Sequence, residues 1–321
     1  MIKKDDPILI FGAGSIGERH VFILQKLGYI NIWIYRQRNL PLRNIDEKTI
    51  KIFKDLDQTD NIKPKAAIIC TPTFQHLEQA IFCVKRGIHV LIEKPLSHNL
   101  TNFDKLLDVT IKNTAYVQVA YMLRYHAFFQ NIKLIVESKK MGNLISVQTY
   151  WGEYLPDWHP WEDYQQSYAA RKELGGGAAL TLSHDVDLVN WLSGSTVTSW
   201  NTLKNHRSSL KINVESGADI SIGYQNGITA HCHVNFHEQN PKRWYRFVFD
   251  EGSIEIDYFK SVMTTYYQKE MTIQTIRNFN RNQLYESLII DFFRKIDEGN
   301  FFEASLRSLE ESKIIISICQ K

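Results

Sequence analysis

The stretch Pro7-Ile-Leu-Ile-Phe-Gly12-Ala-Gly14-Ser-Ile-Gly17 decides the fold of the first part of this chain. Residues 7–11 form a short apolar run that ends at a glycine, which is typical of a fully buried parallel strand. A helical pattern follows from about Ser15 to Leu27, and Gly28 closes it. A strand that leads through Gly-x-Gly-x-x-Gly into a helix is the setting in which this motif binds a dinucleotide.

Each position of the glycine motif has a physical task in holding a pyrophosphate. Gly12 permits the tight turn, Gly14 lets the backbone approach the phosphates, and Gly17 lets the helix pack closely on the strand. The helix start at Ser15 and Ile16 supplies free N–H groups and the positive end of the helix dipole. The alternative is a glycine turn that binds no ligand, and the strand–helix context argues against it.

Strands and helices alternate up to residue 122. Further strands are predicted at 31–35, 65–70, 89–93 and 115–121, and further helices at about 73–87 and 99–112. Thr73 is expected to cap the first of these two helices, and Gly87 to end it. Short loops between alternating elements predict an α/β domain, a Rossmann-type doubly wound parallel sheet over residues 1–122.

Residues 123–321 have another pattern, in which β-rich runs follow one another. Strands are predicted at 145–154, 218–224, 227–236, 243–249, 253–259 and 271–277, and helices near 180–193, 282–298 and 303–318. Asn226-Gly227 and Glu251-Gly252 are hairpin-type turns. The second domain is therefore predicted to be α+β, with an open, mostly antiparallel sheet.

Composition excludes several classes of protein. Hydrophobic residues make up 44% of the chain, charged residues 23%, and the net charge is +3, which is ordinary for a soluble globular protein. We therefore expect no nucleic-acid partner, because no Lys/Arg-rich run exists. No signal peptide and no apolar run of roughly 18 residues is present, so no membrane partner is expected. The cysteines form no C-x-x-C pair and are interpreted as reduced thiols of a cytoplasmic protein: Cys70, Cys83, Cys232 and Cys319.

The end of the second predicted strand carries the residues expected at the adenosine ribose. NAD enzymes usually have Asp or Glu there, whereas this chain has Tyr35-Arg36-Gln37-Arg38. Two guanidinium groups without a carboxylate suit a 2′-phosphate, because arginine binds phosphate in bidentate geometry. NADP(H) is therefore favoured over NAD(H), with the alternative that Arg36 and Arg38 are solvated loop charges.

Three further motifs, together with the glycine motif, make the chain resemble the Gfo/Idh/MocA family of glucose–fructose oxidoreductase and inositol dehydrogenase. They are Cys70-Thr-Pro-Thr-Phe-Gln-His76, Glu93-Lys-Pro95 and Gly175-Gly-Gly-Ala-Ala-Leu-Thr-Leu-Ser-His-Asp-Val-Asp187. The resemblance covers essentially the whole chain. It implies an NAD(P)-dependent oxidoreductase in which residues 123–321 bind the substrate and associate through the open sheet, as a homodimer or homotetramer.

The loops that follow the parallel strands are expected to border the cofactor. The residues concerned are Cys70, Thr71, Pro72, His76, Glu93 and Lys94. For His76, the alternative is a helix residue that faces solvent.

The resemblance assigns a catalytic role to Lys94. In the family, the lysine of Glu-Lys-Pro reaches the substrate hydroxyl beside the nicotinamide, and Lys94 matches it. The residue follows a parallel strand, at the edge where ligands bind in open α/β sheets, and Pro95 restricts its backbone to an extended form. A solvated lysine is the alternative.

A catalytic role is likewise implied for His184. The family places an acid/base histidine here, and imidazole suits the task because its pKa lies near neutrality. The alternative is a His–Asp pair, with Asp187, that braces a helix start. Many members carry an aspartate four residues earlier, where this chain has Leu180. Asp187 and Tyr121 are candidates to replace it.

Several residues are expected to bind the substrate, and Asp187 is one of them. Tyr121 and Arg124 lie at the end of a predicted parallel strand, where a guanidinium would bind a carboxylate or phosphate. An interdomain salt bridge is the alternative for Arg124. Residues 153–164 crowd aromatic and acidic side chains, including Trp158, into one loop, which suits a sugar but equally a structural lid or subunit contact. With Arg171, this loop resembles family members of cell-surface sugar biosynthesis.

No metal is expected, although His231-Cys-His-Val-Asn-Phe-His237 is rich in histidine. On a strand, His231, His233, Asn235 and His237 face one side. No carboxylate or cysteine cluster accompanies them, so a polar sheet face or subunit contact is expected.

The motifs together predict hydride transfer between a nicotinamide and a secondary alcohol or ketone of a sugar, sugar acid or nucleotide sugar. One alternative is the NAD-dependent glycosidase chemistry of some relatives. Another is a non-catalytic regulator that senses cofactor or sugar, which would not need Lys94 and His184.

Overall fold

The computed structural model describes residues 2–37 and 41–320. The strands are β1 Ile8–Phe11, β2 Ile32–Tyr35, β3 Lys51–Phe53, β4 Ala66–Ile69, β5 His89–Ile92, β6 Val117–Val119, β7 Leu144–Tyr154, β8 Val197–Asn205, β9 Gly217–Tyr224, β10 Thr229–Asn235, β11 His237–Phe249, β12 Gly252–Asp257, β13 Val262–Tyr267 and β14 Glu270–Thr275. The helices are α1 Ser15–Lys26, α2 Thr59–Ile62, α3 His76–Val84, α4 Phe103–Lys112, α5 Ala127–Ser138, α6 Ala178–Thr181, α7 His184–Ser193, α8 Asn282–Glu298 and α9 Phe302–Gln320.

The chain forms two compact units. The first comprises Met1–Met122 and Arg281–Lys313, and the second comprises Leu123–Asn280 and Ile314–Lys321. The predicted division at residue 122 placed all later residues in the second domain, whereas residues 281–313 return to the first unit.

The physical reason for this return lies in the apolar face of α8. Its buried side chains include Leu288 and Phe292, and α8 packs along α1. Phe293 contacts the ring of Tyr29 at 4.9 Å between centroids, and Lys26 of α1 pairs with Glu286 at 2.6 Å. The pattern of residues 282–298 predicts the helix correctly, but periodicity alone does not say which core the helix joins.

The sheet of the first unit is parallel, in the order β3-β2-β1-β4-β5-β6. The prediction of a doubly wound parallel sheet is confirmed. All residues of β1 and β4 are buried, as expected of strands with helices on both faces. The strand order reverses between β1 and β4, and ligands bind at the carboxyl ends of the strands beside such a reversal.

Local predictions in this unit need three corrections. Strand β3 was not predicted, and α4 begins at Phe103 rather than at residue 99. Thr73 does not cap α3, because residues 73–75 form a short 3-10 turn and the cap position falls on Gln75.

The sheet of the second unit has the order β14-β13-β12-β11-β7-β10-β9-β8. All neighbouring strands are antiparallel except β7 and β10, so the predicted open, mostly antiparallel sheet is confirmed. Strands β8 and β13 were not predicted. The side chains of Ala230, Cys232 and Val234 are buried on the face that α6 and α7 cover. The opposite face carries His231 and His233.

No helix within residues 2–37 and 41–320 combines the length and the apolar character needed to cross a membrane.

Candidate active site

The glycine motif has the geometry that its three glycines predict. A Cβ on Gly17 would lie 2.2 Å from the carbonyl oxygen of Gly12, so no side chain fits there. Gly12 has φ +86°, and its turn passes close to Cys70. A Cβ on Gly14 would meet no atom within 4 Å. Open space therefore lies beside Gly14, where the backbone is expected to approach a pyrophosphate.

The start of α1 suits the same anion. Gly14 occupies the cap position, and no side chain hydrogen-bonds the first turn from there. The N–H groups of Ser15 and Ile16 begin the helix at the carboxyl edge of β1. An uncapped helix start next to an open cradle fits a phosphate group.

Arg36 lies at the end of β2, as predicted, but it has a carboxylate beside it. Its Nη2 atom is 3.6 Å from Oε1 of Glu47, and its side chain is 12% exposed. The Nε atom of Arg36 is buried and has no hydrogen-bond partner among the residues that the structure describes. Arg38 falls outside the described residues. Sequence reasoning missed Glu47, because it follows β2 only after a long loop that carries no motif.

The side chain of His76 supports two loops. It is buried, with Nε2 2.8 Å from the carbonyl oxygen of Thr71 and Nδ1 2.9 Å from that of Pro95. The solvent-facing alternative is wrong, because both ring nitrogens face backbone carbonyls. Burial lowers the pKa of His76, although both carbonyls and Glu93 oppose the effect.

Cys70 and Thr71 frame the same loop, which follows β4. Cys70 is buried, and burial followed by the charge of Glu93 raises the pKa of its thiol well above the usual range. Thr71 donates from Oγ1 to Oε1 of Gln79 at 2.7 Å, while Pro72 is half-buried. The hydrogen bond from Thr71 to Gln79 ties this loop to α3.

Glu93 is paired with His20, a residue that sequence reasoning missed. The Oε1 atom of Glu93 lies 2.7 Å from Nε2 of His20, and both side chains are buried. Burial raises the pKa of Glu93, but the hydrogen bond and charge of His20, with the Lys94 ammonium, outweigh it and hold the pKa below its usual value. The sequence signal for this pair is the position of His20 in α1, beside the apolar residues that are buried there.

Lys94 follows β5 and is half-buried. Its backbone N–H donates to Oε2 of Glu93 at 3.3 Å, and the Lys94-Pro95 peptide bond is cis. The residue therefore lies at the carboxyl edge of the parallel sheet, as the family resemblance implied.

His184 begins α7 in the second unit and is buried. Gly177, which precedes this helix, packs closely against a carboxylate. It has φ +109°, and a Cβ there would lie 2.3 Å from Oε1 of Glu215. That oxygen accepts a hydrogen bond from the backbone of Ala179 at 3.2 Å. Glu215 thus stabilises the first turn of α6, just ahead of His184.

A buried charged cluster lies next to His184. The guanidinium of Arg243 donates to Oδ1 of Asp185 and lies 3.6 Å from the ring centre of Trp151. Trp151 in turn lies 6.1 Å from the His184 ring, and Tyr245 donates its hydroxyl to Asp185 at 2.9 Å.

Arg243 stays charged in this cluster. Burial lowers the pKa of its guanidinium, but Asp185 more than compensates and raises it. Sequence reasoning missed this arginine. Every second residue of this part of β11 is buried, as Tyr245, Phe247 and Phe249 are, and Arg243 continues that alternation. This periodicity is the sequence signal that could have identified it.

The predicted substrate residues of the second unit contact protein groups. Arg124 and Asp187 bind each other, and the pair lies within one unit rather than between domains. Trp158 packs edge-on against Phe236 at 5.5 Å. Arg171 bonds to Glu173 at 2.6 Å from Nε.

Two further predicted positions are buried. Tyr121, in the first unit, is 4% exposed. Leu180, which stands where relatives carry an aspartate, is 7% exposed in α6.

Strand β10 forms a polar sheet face, as expected, but His237 lies beyond it, at the start of β11. His233 bonds to Asp219 at 2.8 Å from Nδ1, and His231 lies 3.6 Å from the same carboxylate. His237 lies 3.4 Å from the hydroxyl of Ser208. Within the part of the chain that the structure describes, no group of three or more His, Cys, Asp or Glu side chains is placed to hold a metal.

Comparison with known proteins gives a family match over most of the chain. Residues 7–121 match the model described as oxidoreductase family, NAD-binding Rossmann fold (GFO_IDH_MocA). Residues 129–255 match the C-terminal domain of the same family.

Several known proteins are similar in sequence, and two of them show how far the match extends. An uncharacterised oxidoreductase of Bacillus subtilis, YrbE, is 27% identical over 201 residues, which cover 59% of this chain and 54% of that protein. Myo-inositol 2-dehydrogenase of Thermotoga maritima is 28% identical over 195 residues, which cover 59% of this chain and 55% of that protein. The matches therefore span about half of the length of these relatives.

The fold is shared more widely than the sequence. A levoglucosan dehydrogenase in complex with NADH superposes with a TM-score of 0.82 at 16% identity, covering 98% of this chain and 96% of that one.

Proposed function

This chain belongs to the Gfo/Idh/MocA oxidoreductase family, and on that premise we propose that it transfers a hydride between a nicotinamide and a secondary alcohol or ketone of a sugar, sugar acid or nucleotide sugar. The observation that carries the proposal is the pairing of an open glycine cradle at Gly14 with Lys94, both on the carboxyl edge of one parallel sheet.

The residues of the chain bind and orient the cofactor and the substrate, and they transfer the proton. The nicotinamide, when bound, supplies or takes up the hydride. The backbone of the glycine motif and the start of α1 hold the pyrophosphate. The Nζ atom of Lys94 or a ring nitrogen of His184 removes the proton from the substrate hydroxyl, or returns it to the carbonyl oxygen in reduction.

We propose NADP(H) as the preferred cofactor. The support is Arg36, whose buried Nε lacks a partner among the described residues and would donate to a 2′-phosphate. Glu47 stands beside that guanidinium and would have to move away from it, since a second anion in the same place is repelled.

The substrate class is inferred from similar proteins and from one loop. Similar proteins are named for myo-inositol and levoglucosan, which are a polyol and a sugar derivative. Trp158 lies on the aromatic and acidic segment 153–164, which suits a sugar ring, and Arg171 follows it seven residues later. We propose that the reaction serves cell-surface sugar biosynthesis, because residues 153–164 and Arg171 resemble family members of that kind.

The subunits are proposed to associate, as a dimer or tetramer, through the open face of the second sheet. Leu203, Trp244 and Ile273 are exposed in the single chain, at 64%, 38% and 61%. Charged replacement of Trp244 should reduce the molar mass measured by light scattering. The reaction is proposed to take place in the cytoplasm, consistent with buried cysteines that form no disulfide.

The experiment is a titration with NADPH and NADH by fluorescence, followed by a screen of sugars, sugar acids and nucleotide sugars for change in NAD(P)H absorbance. Lys94→Met should leave cofactor binding intact and abolish turnover, while Lys105→Met, on the exposed side of α4, should change neither. Full activity of Lys94→Met would refute the mechanism. Bond cleavage without net absorbance change would instead favour the glycosidase chemistry.

A further inference from the structure

We propose that Glu93 is a positioning residue for Lys94, because its carboxylate lies against the lysine backbone and fixes it, and that His20 and His76 hold this arrangement in place. The inference rests on the proposed role of Lys94 in proton transfer.

The two carboxylate oxygens of Glu93 have separate tasks. Oε1 bonds to Nε2 of His20 at 2.7 Å, which anchors the carboxylate to α1. Oε2 accepts the backbone N–H of Lys94 at 3.3 Å. Because Glu93 is only 6% exposed, its carboxylate has little freedom to leave either partner.

His76 fixes the other side of the lysine. Its Nδ1 atom lies 2.9 Å from the carbonyl oxygen of Pro95, and its Nε2 atom lies 2.8 Å from that of Thr71. The imidazole thus ties the residue after Lys94 to the loop after β4. Each neighbour of Lys94 in the chain is thus hydrogen-bonded to a buried imidazole: Glu93 to His20, and Pro95 to His76.

The charge of Glu93 has a second consequence. The Lys94 ammonium lowers the pKa of Glu93, and such coupling is reciprocal, so the carboxylate favours protonated Lys94 by the same interaction. In the direction of reduction, a lysine that returns a proton to the carbonyl oxygen needs this charge, because burial alone would favour the neutral amine.

Stability alone does not explain the cluster. A buried ion pair contributes little more to stability than apolar side chains of the same volume would. The ring of Tyr285 lies 5.6 Å from that of His20. The position of His20 and Glu93 against Lys94 gives the polar pair a function that apolar residues could not supply.

The test measures the protonation of Lys94 directly, without a substrate. Full-length protein is acetylated with acetic anhydride across a range of pH, and the rate at Lys94 is read by peptide mass spectrometry, with exposed Lys105 as internal reference. Glu93→Gln should move the midpoint of the Lys94 rate about one pH unit toward acid, which is about a tenfold faster rate below the midpoint. Glu78→Gln, which removes an exposed carboxylate from α3, should leave the midpoint unchanged.

Two His20 variants keep the test valid if Glu93→Gln folds poorly. His20→Gln retains a donor for Glu93 and should keep the wild-type midpoint, whereas His20→Leu should shift it in the direction of Glu93→Gln. An unchanged midpoint in Glu93→Gln and His20→Leu, in protein that still binds NADPH or NADH, overturns the inference. Failure of the proposed function would appear separately, as full activity of Lys94→Met with the shift in Glu93→Gln still present.

Discussion

The guanidinium of Arg124 holds the carboxylate of Asp187 at two points, with Nε 3.1 Å from Oδ2 and Nη2 2.5 Å from Oδ1. Asp187 is fully buried, while 23% of the Arg124 side chain stays exposed. The sequence predicts that both residues contact the substrate. In the structure each is a partner of the other, which ties the start of α7 to the segment before α5.

Replacement of Asp187 by Asn should lower the free energy of unfolding by about 2–4 kcal/mol, because it leaves a partly buried guanidinium without its counter-charge. Urea denaturation measures this loss. Glu255→Gln, which breaks an exposed pair with Arg246, is the control and should cost less than about 1 kcal/mol. If Asp187→Asn keeps its stability and only raises KM, then the pair serves the substrate instead.

Two glycine variants separate folding from cofactor binding. Gly14→Ala should fold normally, because φ is −77° and the added methyl meets open space, yet bind NAD(P)H at least about tenfold more weakly, since the methyl occupies the path of the pyrophosphate. Gly17→Ala should lose about 1–3 kcal/mol of stability, because its methyl would lie 2.2 Å from a backbone oxygen. Thermal denaturation and fluorescence titration measure the two effects. Unweakened binding by Gly14→Ala would place the pyrophosphate elsewhere.

The parallel sheet could be predicted because its main strands are continuous apolar runs, with glycine or proline residues close to their ends. Strand β3 could not, since its three residues lie at the sheet edge and two are exposed. Strand β8 was missed for a similar reason, because Thr202 is the one buried residue in it. A strand at an edge needs little apolar pattern to pair, so sequence periodicity does not reveal it.

The sequence predicts those parts of the candidate site where the backbone requires one particular residue type, glycine. Gly12, Gly14 and Gly17 have the expected surroundings. The pairs His20–Glu93 and Asp185–Arg243 were not predicted, because their members lie 73 and 58 positions apart and meet only through the fold.

Acid should destabilise the second unit through His126. The Nδ1 atom of His126 accepts the N–H of Phe128 at 3.2 Å as the cap of α5, so the ring must be unprotonated there. Burial, and then the charge of Arg243, lowers its pKa from 6.5 to about 4. The neutral form is thus favoured in the folded state, and its contribution is complete above pH 6.5 and is lost as the pH falls toward 4.

The loss should reach about 3 kcal/mol, and urea denaturation between neutral and acidic pH measures it. His126→Asn keeps a capping acceptor that does not titrate, so it should flatten this part of the profile. His206→Asn, at an exposed position, should follow the wild type. A wild-type slope in His126→Asn would assign the acid sensitivity to other groups.

The ion pair between Arg36 and Glu47 should control the choice between NADPH and NADH. Glu47 lies 3.6 Å from the guanidinium and competes with a 2′-phosphate for it. Glu47→Gln should therefore tighten NADPH binding about three- to tenfold and change NADH binding little, whereas Arg36→Ala should weaken NADPH binding about tenfold or more. Fluorescence titration of both variants with both cofactors measures the ratio. Should Glu47 instead bond the ribose hydroxyls of NAD, Glu47→Gln would weaken NADH binding, and the preference for NADP(H) would be wrong.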